Sequence, residues 1–375
     1  MIGVDVDLAA LGEYTRDVRR AARLGREPTA EGGASGAGVA VDADRVRWRR
    51  LAVTHAATRL ADGRHAEGAF GGLQDTAPRA ALLALHARVA GIDPGGWEHP
   101  ALVQVWLRWA DYVVPRADVG VFTLGAGPRD PRYRRALDRL VDAVVAAMPD
   151  GRRDSRVVME ALPWLPNPLL IRATAVTGRV HIRWDARTTE VVAAERPAID
   201  ADEAQRDLAR RFLHWLGPAS APHFARWAGV PRPDAQHTWE ALAPDMVPVG
   251  FEGRRRWLLA DDVDGLTAAE PPHGVRLLPA GDPCLFMDDD LPPAPAAHEP
   301  DEARGITTRL LNGLAGRIAL DGRVVGAWGR VRADVTLDPW PSMPADRRDD
   351  VEAEARSLAG PIASPIRVRW LPSRK

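Results

Sequence analysis

Apolar residues recur at helical spacing most clearly in DEAQRDLARRFLHWL, residues 202–216, where Leu208, Phe212 and Trp215 share one face and Gly217-Pro218 ends the run. Ser220 is placed to cap a short helix through APHFARWAG, and a third helix follows Val230-Pro231 in DAQHTWEALA. MVPVGF and RRRWLLA then flank the turn Glu252-Gly253 as a β-hairpin. Three helices followed by a hairpin is the winged-helix pattern, a variant of the helix-turn-helix.

Weaker copies precede this unit. VRWRRLAVTHAATRL and PRAALLALHARVA read as helices, followed by extended LVQVWLRW and YVVPRADV. Helical PRYRRALDRLVDAVVAAM leads to TGRVHIRWDARTTEVV, where Val180, Ile182 and Trp184 alternate with Arg179, His181 and Arg183, a hairpin with one apolar and one basic face. In the tail, GRIALDGRVVGAWGRV turns at Asp321-Gly322, which suits a type I′ turn, and helical DDVEAEARSL follows. An amphipathic helix fits within residues 1–28, with Leu8, Leu11, Val18 and Leu24 among arginines. PTAEGGASGAGVA is a small-residue linker, so folded structure is expected from the Asp42 cap onward. The acidic, proline-rich run DDDLPPAPAAHEPDEA reads as an exposed loop. The expected fold is α+β: a helix and linker over 1–41, winged helices over 42–129, 130–200 and 201–270, and a β-rich module with a final helix over 271–375.

Composition narrows the chemistry. At 375 residues and 46% hydrophobic, the chain has ample material for a packed core. Fifty basic residues against 51 acidic ones create no global pull toward polyanions, so nucleic-acid binding has to come from local patches. Lys375 is the only lysine. Within this sequence that removes Walker A and kinase-type nucleotide sites, pyridoxal phosphate and Schiff-base catalysis. Cys284 is alone, which excludes an intrachain disulfide and cysteine-based metal cages. The histidines show no His-Glu-x-x-His pattern, and Asp288-Asp289-Asp290 lacks a calcium loop, so neither metal nor cofactor is expected. Absence of a long apolar run or signal-peptide pattern sets the expectation of a soluble, cytoplasmic monomer.

Several phrases, GGLQDTAPRAALLALHAR, DLARRFLHWLGPASAPHFARWAGV, VRLLPAGDPCLF and ALDGRVVGAWGRV, occur in an order and spacing that resemble the tandem winged-helix proteins related to the AlkZ and YcaQ alkylpurine and crosslink DNA glycosylases. VHIRWDARTTEVV and RRDDVEAEARSL extend the resemblance over nearly all of residues 46–358. It implies a positively charged cleft for double-stranded DNA, a C-terminal β-rich element reaching toward the minor groove, and cleavage of the N-glycosidic bond of alkylated or crosslinked purines. The family's catalytic motif is Gln-x-Gln or Gln-x-Asp, which here reads Gln74-Asp75-Thr76. Gln74 fits the first position; Thr76 stands at the second and can only hydrogen-bond a water, while Asp75 brings a carboxylate one residue early. Gln74 and Asp75 read equally well as caps of a helix starting near Pro78. A family Arg-Gly-Thr stretch followed by His reads Arg108-Trp109-Ala110-Asp111-Tyr112, leaving Arg108 as a phosphate or cleft contact.

Three arginine clusters carry the binding expectation: Arg45, Arg47, Arg49 and Arg50; Arg254, Arg255 and Arg256 in the wing; and Arg317, Arg323, Arg330 and Arg332 in the tail hairpin. Arg183 on the basic hairpin face joins them. The expected function is a monofunctional DNA glycosylase, the alternatives being a non-catalytic DNA-binding regulator or lesion sensor, or a scaffold that kept only the fold.

Overall fold

Seventeen residues of helix open the architecture ahead of the Asp42 cap. The computed structural model describes residues 6–24, 40–75, 77, 79–108, 110–287 and 315–372; residues 28–39 of the expected linker, the acidic run and Thr76 lie outside the described residues. Helix α1 (Leu8–Leu24) buries Ala10, Leu11, Tyr14 and Val18, a three-to-four-residue spacing that makes one continuous apolar stripe. Folded structure therefore begins before Asp42, correcting the expectation. Helix α2 (Ala43–Val53) is capped by Asp42, which accepts from the amides of Asp44 at 2.9 Å and Arg45 at 3.1 Å. It stops short of Leu60 because Thr54 bonds back to Arg50 O and His55 takes a left-handed φ of 60°.

The short helix α3 (His65–Gly68) leads to strand β1 (Leu73–Gln74), helix α4 (Ala80–Arg88) and strands β2 (Leu102–Leu107) and β3 (Ala110–Pro115), forming an antiparallel sheet in the order β1-β3-β2. Helices α5 (Val119–Gly125) and α6 (Pro131–Ala146) follow, the latter capped by Asp130 with Pro131 in its first turn. Strand β4 (Arg152–Asp154), helices α7 (Ser155–Ala161) and α8 (Leu169–Ala173), and the hairpin β5 (Val180–Trp184) and β6 (Thr189–Ala193) build a second sheet, ordered β4-β6-β5. Helix α1 packs against α6 here, burying Leu11 and Val18 with Leu137, Leu140 and Val144.

Helices α9 (Ala201–Leu216), α10 (Ala221–Ala228) and α11 (Arg232–Leu242) and the hairpin β7 (Met246–Phe251) and β8 (Arg254–Leu259) follow the strongest sequence pattern. Ser220 and His223 form a capping box at the start of α10, and Glu252 and Gly253 turn the hairpin with φ of 49° and 69°. Phe212, Trp215, Phe224, Trp227 and Trp239 of these helices pack with Val103, Val105, Tyr112 and Phe122. The segments 42–129 and 201–270 thus share one apolar core.

After helix α12 (Val263–Thr267), strands β9 (Val275–Leu278), β10 (Gly316–Leu320), β11 (Arg323–Val331) and β12 (Asp334–Pro339), helices α13 (Arg348–Ser357) and α14 (Ala359–Ile362), and strand β13 (Arg367–Trp370) complete the described chain. Their sheet runs β13-β12-β11-β10-β9, with β13 parallel to β12 and the other pairs antiparallel. Asp321 and Gly322, at φ 48° and 79°, supply the type I′ turn expected between β10 and β11. Val351, Ala355 and Leu358 close the core behind this sheet. The whole is a mixed α+β protein.

Candidate active site and nucleic-acid interface

Gln74 occupies the last position of β1, opposite Tyr112 of β3. The Tyr112 hydroxyl donates to Gln74 Oε1 at 3.2 Å, and the Gln74 side chain is half-buried. On the face of the Tyr112 ring, 3.9 Å from its centroid, lies the guanidinium of Arg108, which also stands 4.3 Å from the Trp227 ring of α10. Arg108 leaves β2 with a left-handed φ of 50°, and its stem runs along Gly229, where a Cβ would come within 3.0 Å. Burial between the two rings lowers the Arg108 pKa, and the guanidinium is held on the Tyr112 ring whose hydroxyl bonds Gln74. The pairing of Tyr112 and Trp227 with Arg108 was not legible in the sequence: the three meet through strand register and helix docking, with Trp227 over a hundred residues away from the other two.

Asp75 points the other way. Successive strand residues face opposite sides, and the Asp75 carboxylate is 0% exposed, which corrects the idea that it turns into the cleft beside Gln74. Its Oδ1 accepts from the Ala81 amide at 3.0 Å and its Oδ2 from Arg79 Nη1 at 2.9 Å and Gln104 Nε2 at 3.2 Å. Arg79 in turn lies 3.6 Å from the Trp97 ring centroid and donates to Trp184 O. Asp75 therefore does the helix-capping work the sequence also allowed, on α4 starting at Ala80, while Gln74 belongs to the strand. Burial pushes the Asp75 carboxyl up to about 7, against the lowering effect of the Ala81 amide and Arg79. Asp111, whose carbonyl accepts from the Asp75 amide, is raised to about 6 by burial, with Arg172 3.9 Å away pulling it down.

The arginines divide into those consumed by the fold and those at the surface. Arg49 pairs with Asp262 at 2.7 Å and donates to His214 O, and Arg50 reaches Gly217 O, so both are buried structural residues and not a phosphate patch. Arg183 is engaged by Glu98 at 2.6 Å and Glu190 at 3.1 Å, which neutralises it as a free DNA contact. Arg323 faces Asp44 at 3.5 Å, and Arg317 lies against Trp340 with its guanidinium 5.9 Å from the ring centroid. In the wing, Arg255 is exposed above the Trp257 ring and Arg254 is half-exposed, whereas Arg256 is buried. Together with Arg50 and Arg226, Arg254 and Arg256 reinforce burial in holding His223 neutral, its pKa down at about 3.

The turn joining β11 to β12 presents Arg330, Val331 and Arg332. Arg330 Nη1 donates to Arg332 O at 3.2 Å, Arg332 is exposed at φ 56°, and Val331 is 58% exposed between them. Burial lowers the Arg330 pKa while the Asp75 charge opposes that effect. Tyr112 thus joins Gln74, through its hydroxyl, to Arg108, on its ring face. Among the described residues no group of three or more His, Cys, Asp or Glu is disposed to hold a metal ion, and no helix is long and apolar enough to cross a membrane.

A family model described as DNA glycosylase AlkZ-like matches residues 67–360. An interstrand DNA cross-link repair glycosylase from Streptomyces sahachiroi is 28% identical over 178 residues, covering 45% of this chain and 46% of that protein, so the match spans about half the relative's length. The solved structure of Streptomyces sahachiroi DNA glycosylase AlkZ superposes with a TM-score of 0.71 at 19% identity, covering 89% of this chain and all of the other.

Proposed function

The chain belongs to the AlkZ-like DNA glycosylase family, and from that premise we propose that it hydrolyses the N-glycosidic bond of alkylated or crosslinked purines in double-stranded DNA. The helix triplet α9–α11 with its β7–β8 hairpin, and the less regular helix-and-hairpin units before it, are read as tandem winged helices that cradle the duplex. The observation that carries the catalytic reading is the Gln74 amide, held by the Tyr112 hydroxyl on a half-buried strand end beside Arg108.

An alkylated purine that carries a positive charge is already a good leaving group, so the sugar approaches an oxocarbenium ion before much bond formation to water. The protein then needs to place a water on the anomeric carbon more than to deprotonate it. Gln74 can do this: its amide both accepts from and donates to water, and Tyr112 fixes which way the amide faces. Water adds its oxygen to C1′, the purine departs with the bonding electron pair, and the water's surplus proton passes to solvent or to the released base. Asp75 acts through the fold, tying β1 to α4. Arg330 and Arg332 contact phosphates around the lesion, and Val331 between them meets the groove wall. Arg254 and Arg255 extend the contact along the wing.

Duplex DNA methylated with dimethyl sulfate tests this directly. Release of free methylpurines by the wild type, reduced by Gln74→Ala at unchanged duplex affinity, is the expected result. Retained duplex binding with no base release on methylated or crosslinked DNA favours the second reading, a DNA-binding lesion sensor; the burial of Asp75, which leaves its carboxylate outside the cleft, is the observation on that side.

A further inference from the structure

Gln74 is held from a second direction by a segment far away in sequence. Strand β9 leaves its sheet through the turn Pro279-Ala280-Gly281-Asp282, closed by the Asp282 amide donating to Pro279 O at 3.1 Å. Gly281 takes the third position at φ +78°, a conformation that type II turns reserve for glycine. A Cβ on Gly281 would lie 3.0 Å from both Cδ and Oε1 of Gln74 and 3.4 Å from its Cβ. The bare backbone of this turn is therefore one wall of a slot, and the Tyr112 hydroxyl bounds the same amide from the sheet side.

The turn is anchored from behind. Asp282 accepts from Arg88 Nη1 at 2.7 Å and Nη2 at 2.8 Å, with both side chains at 0% exposure, and its Oδ1 also receives the Cys284 amide at 2.9 Å. Two parallel charge-assisted bonds fix orientation as well as distance. Arg88 is the last residue of α4, the helix whose first turn Asp75 caps, so a nine-residue helix connects the catalytic strand at one end to the Gly281 turn at the other.

Resting on the glycosylase reading, we propose that the Pro279–Asp282 turn sets the pose of the Gln74 amide, with Gly281, Arg88 and Asp282 as positioning residues for water placement. An alanine at 281 has to displace Gln74 by a few tenths of an ångström or distort the turn.

The test is single-turnover release of methylpurines from dimethyl sulfate-treated duplex DNA. Gly281→Ala should lower the rate constant by about 10- to 100-fold, the scale on which sub-ångström to ångström misplacement acts, with half-saturating DNA within about twofold of wild type. Gly274→Ala is the control: it places alanine at φ +95° with nothing within 4 Å of the new Cβ, incurring backbone strain without touching Gln74, and should keep the rate within about twofold. In a Gln74→Ala background, Gly281→Ala should remove nothing further. Multiplying losses in the double variant, or an equal loss in Gly274→Ala, would overturn the inference. Asp282→Asn should slow release at unchanged half-saturation; a folded, fully active Asp282→Asn would overturn its anchoring role, and the Gly281 series carries the test if that variant does not fold. A wild type that releases no base overturns the glycosylase reading and this inference together, whereas an active wild type insensitive to Gly281→Ala overturns this inference alone.

Discussion

Replacing Asp75 by Asn should change how stability responds to pH, in a direction and window fixed by burial. The Asp75 carboxyl titrates near 7 in the folded protein against 3.8 for an ordinary aspartate. Between these values the native state holds a proton that the unfolded chain has released. The contribution is fully present below the unfolded value and is lost as pH rises through about 7. At about 1.4 kcal/mol for each pH unit of separation, the loss amounts to roughly 4 kcal/mol. Total stability will not display it, because His86, His181 and His223, depressed to about 4, 4 and 3, contribute oppositely: each is buried neutral, and stability rises as the pH climbs toward their unfolded value. Those histidines are common to both proteins and cancel in the difference. Urea unfolding followed by tryptophan fluorescence at about pH 4 to 8 should give a wild-type-minus-Asp75→Asn stability that falls with pH by a few kcal/mol. Arg79, deprived of its carboxylate at every pH, offsets the curve without tilting it. Asp111, raised to about 6, tilts both proteins alike apart from its coupling to Asp75. A flat difference curve would show that the Asp75 carboxylate is charged throughout and would refute the argument from burial.

Gly71→Ala should destabilise the shared core by about 1–3 kcal/mol, since a Cβ there falls 2.2 Å from the fully buried Trp215 ring; thermal melting should show it, with partial recovery in Gly71→Ala/Trp215→Phe. Replacing Arg330 and Arg332 by Ala should weaken binding to all duplexes alike and reduce the salt slope by about 0.9 log units for each phosphate no longer neutralised; an unchanged slope would place the hairpin off the backbone. Base release should leave an abasic site intact until alkali or heat cleaves it, because Lys375 is the only lysine of the sequence; strand nicks accompanied by borohydride trapping of a protein–DNA adduct would refute a purely hydrolytic reaction, once the Met1 and Lys375 amines are excluded.

Where periodicity and turn chemistry act within a short window, the sequence is a faithful guide: α9 to α11, the hairpins at Glu252-Gly253 and Asp321-Gly322, and the Asp42 cap all stand where local rules put them. Helix α2 ends early because a threonine back-bond and a left-handed histidine interrupt a pattern that apolar spacing alone would continue. The arginines are least legible. Nothing local distinguishes Arg49 and Arg50, spent on Asp262 and buried carbonyls, from exposed Arg45 about one turn earlier on the same helix. Arg183 looks basic in the sequence because its partners Glu98 and Glu190 come from a distant loop and the facing strand. Gln74 is legible as a motif residue, but the surfaces that hold it, Tyr112 and Gly281, become neighbours only through tertiary structure.

The parallel strand β13 has a consequence for solubility. Strand β12 carries one arm of the Arg330–Arg332 hairpin and, without a neighbour, would present an unsatisfied row of amides and carbonyls. Strand β13 covers that edge: the Arg367 amide donates to Ala333 O at 3.0 Å, the Leu371 amide donates to Leu337 O at 2.8 Å, Arg367 clasps Asp334 with two bonds, and Trp370 is pinned to Glu352. An uncovered edge is a template for a strand from another molecule. A chain clipped before Arg367 would keep its arginine hairpin but exchange a four-residue edge strand bearing two exposed arginines, Arg367 and Arg369, for the longer, more apolar β12, a rim on which a second copy can pair.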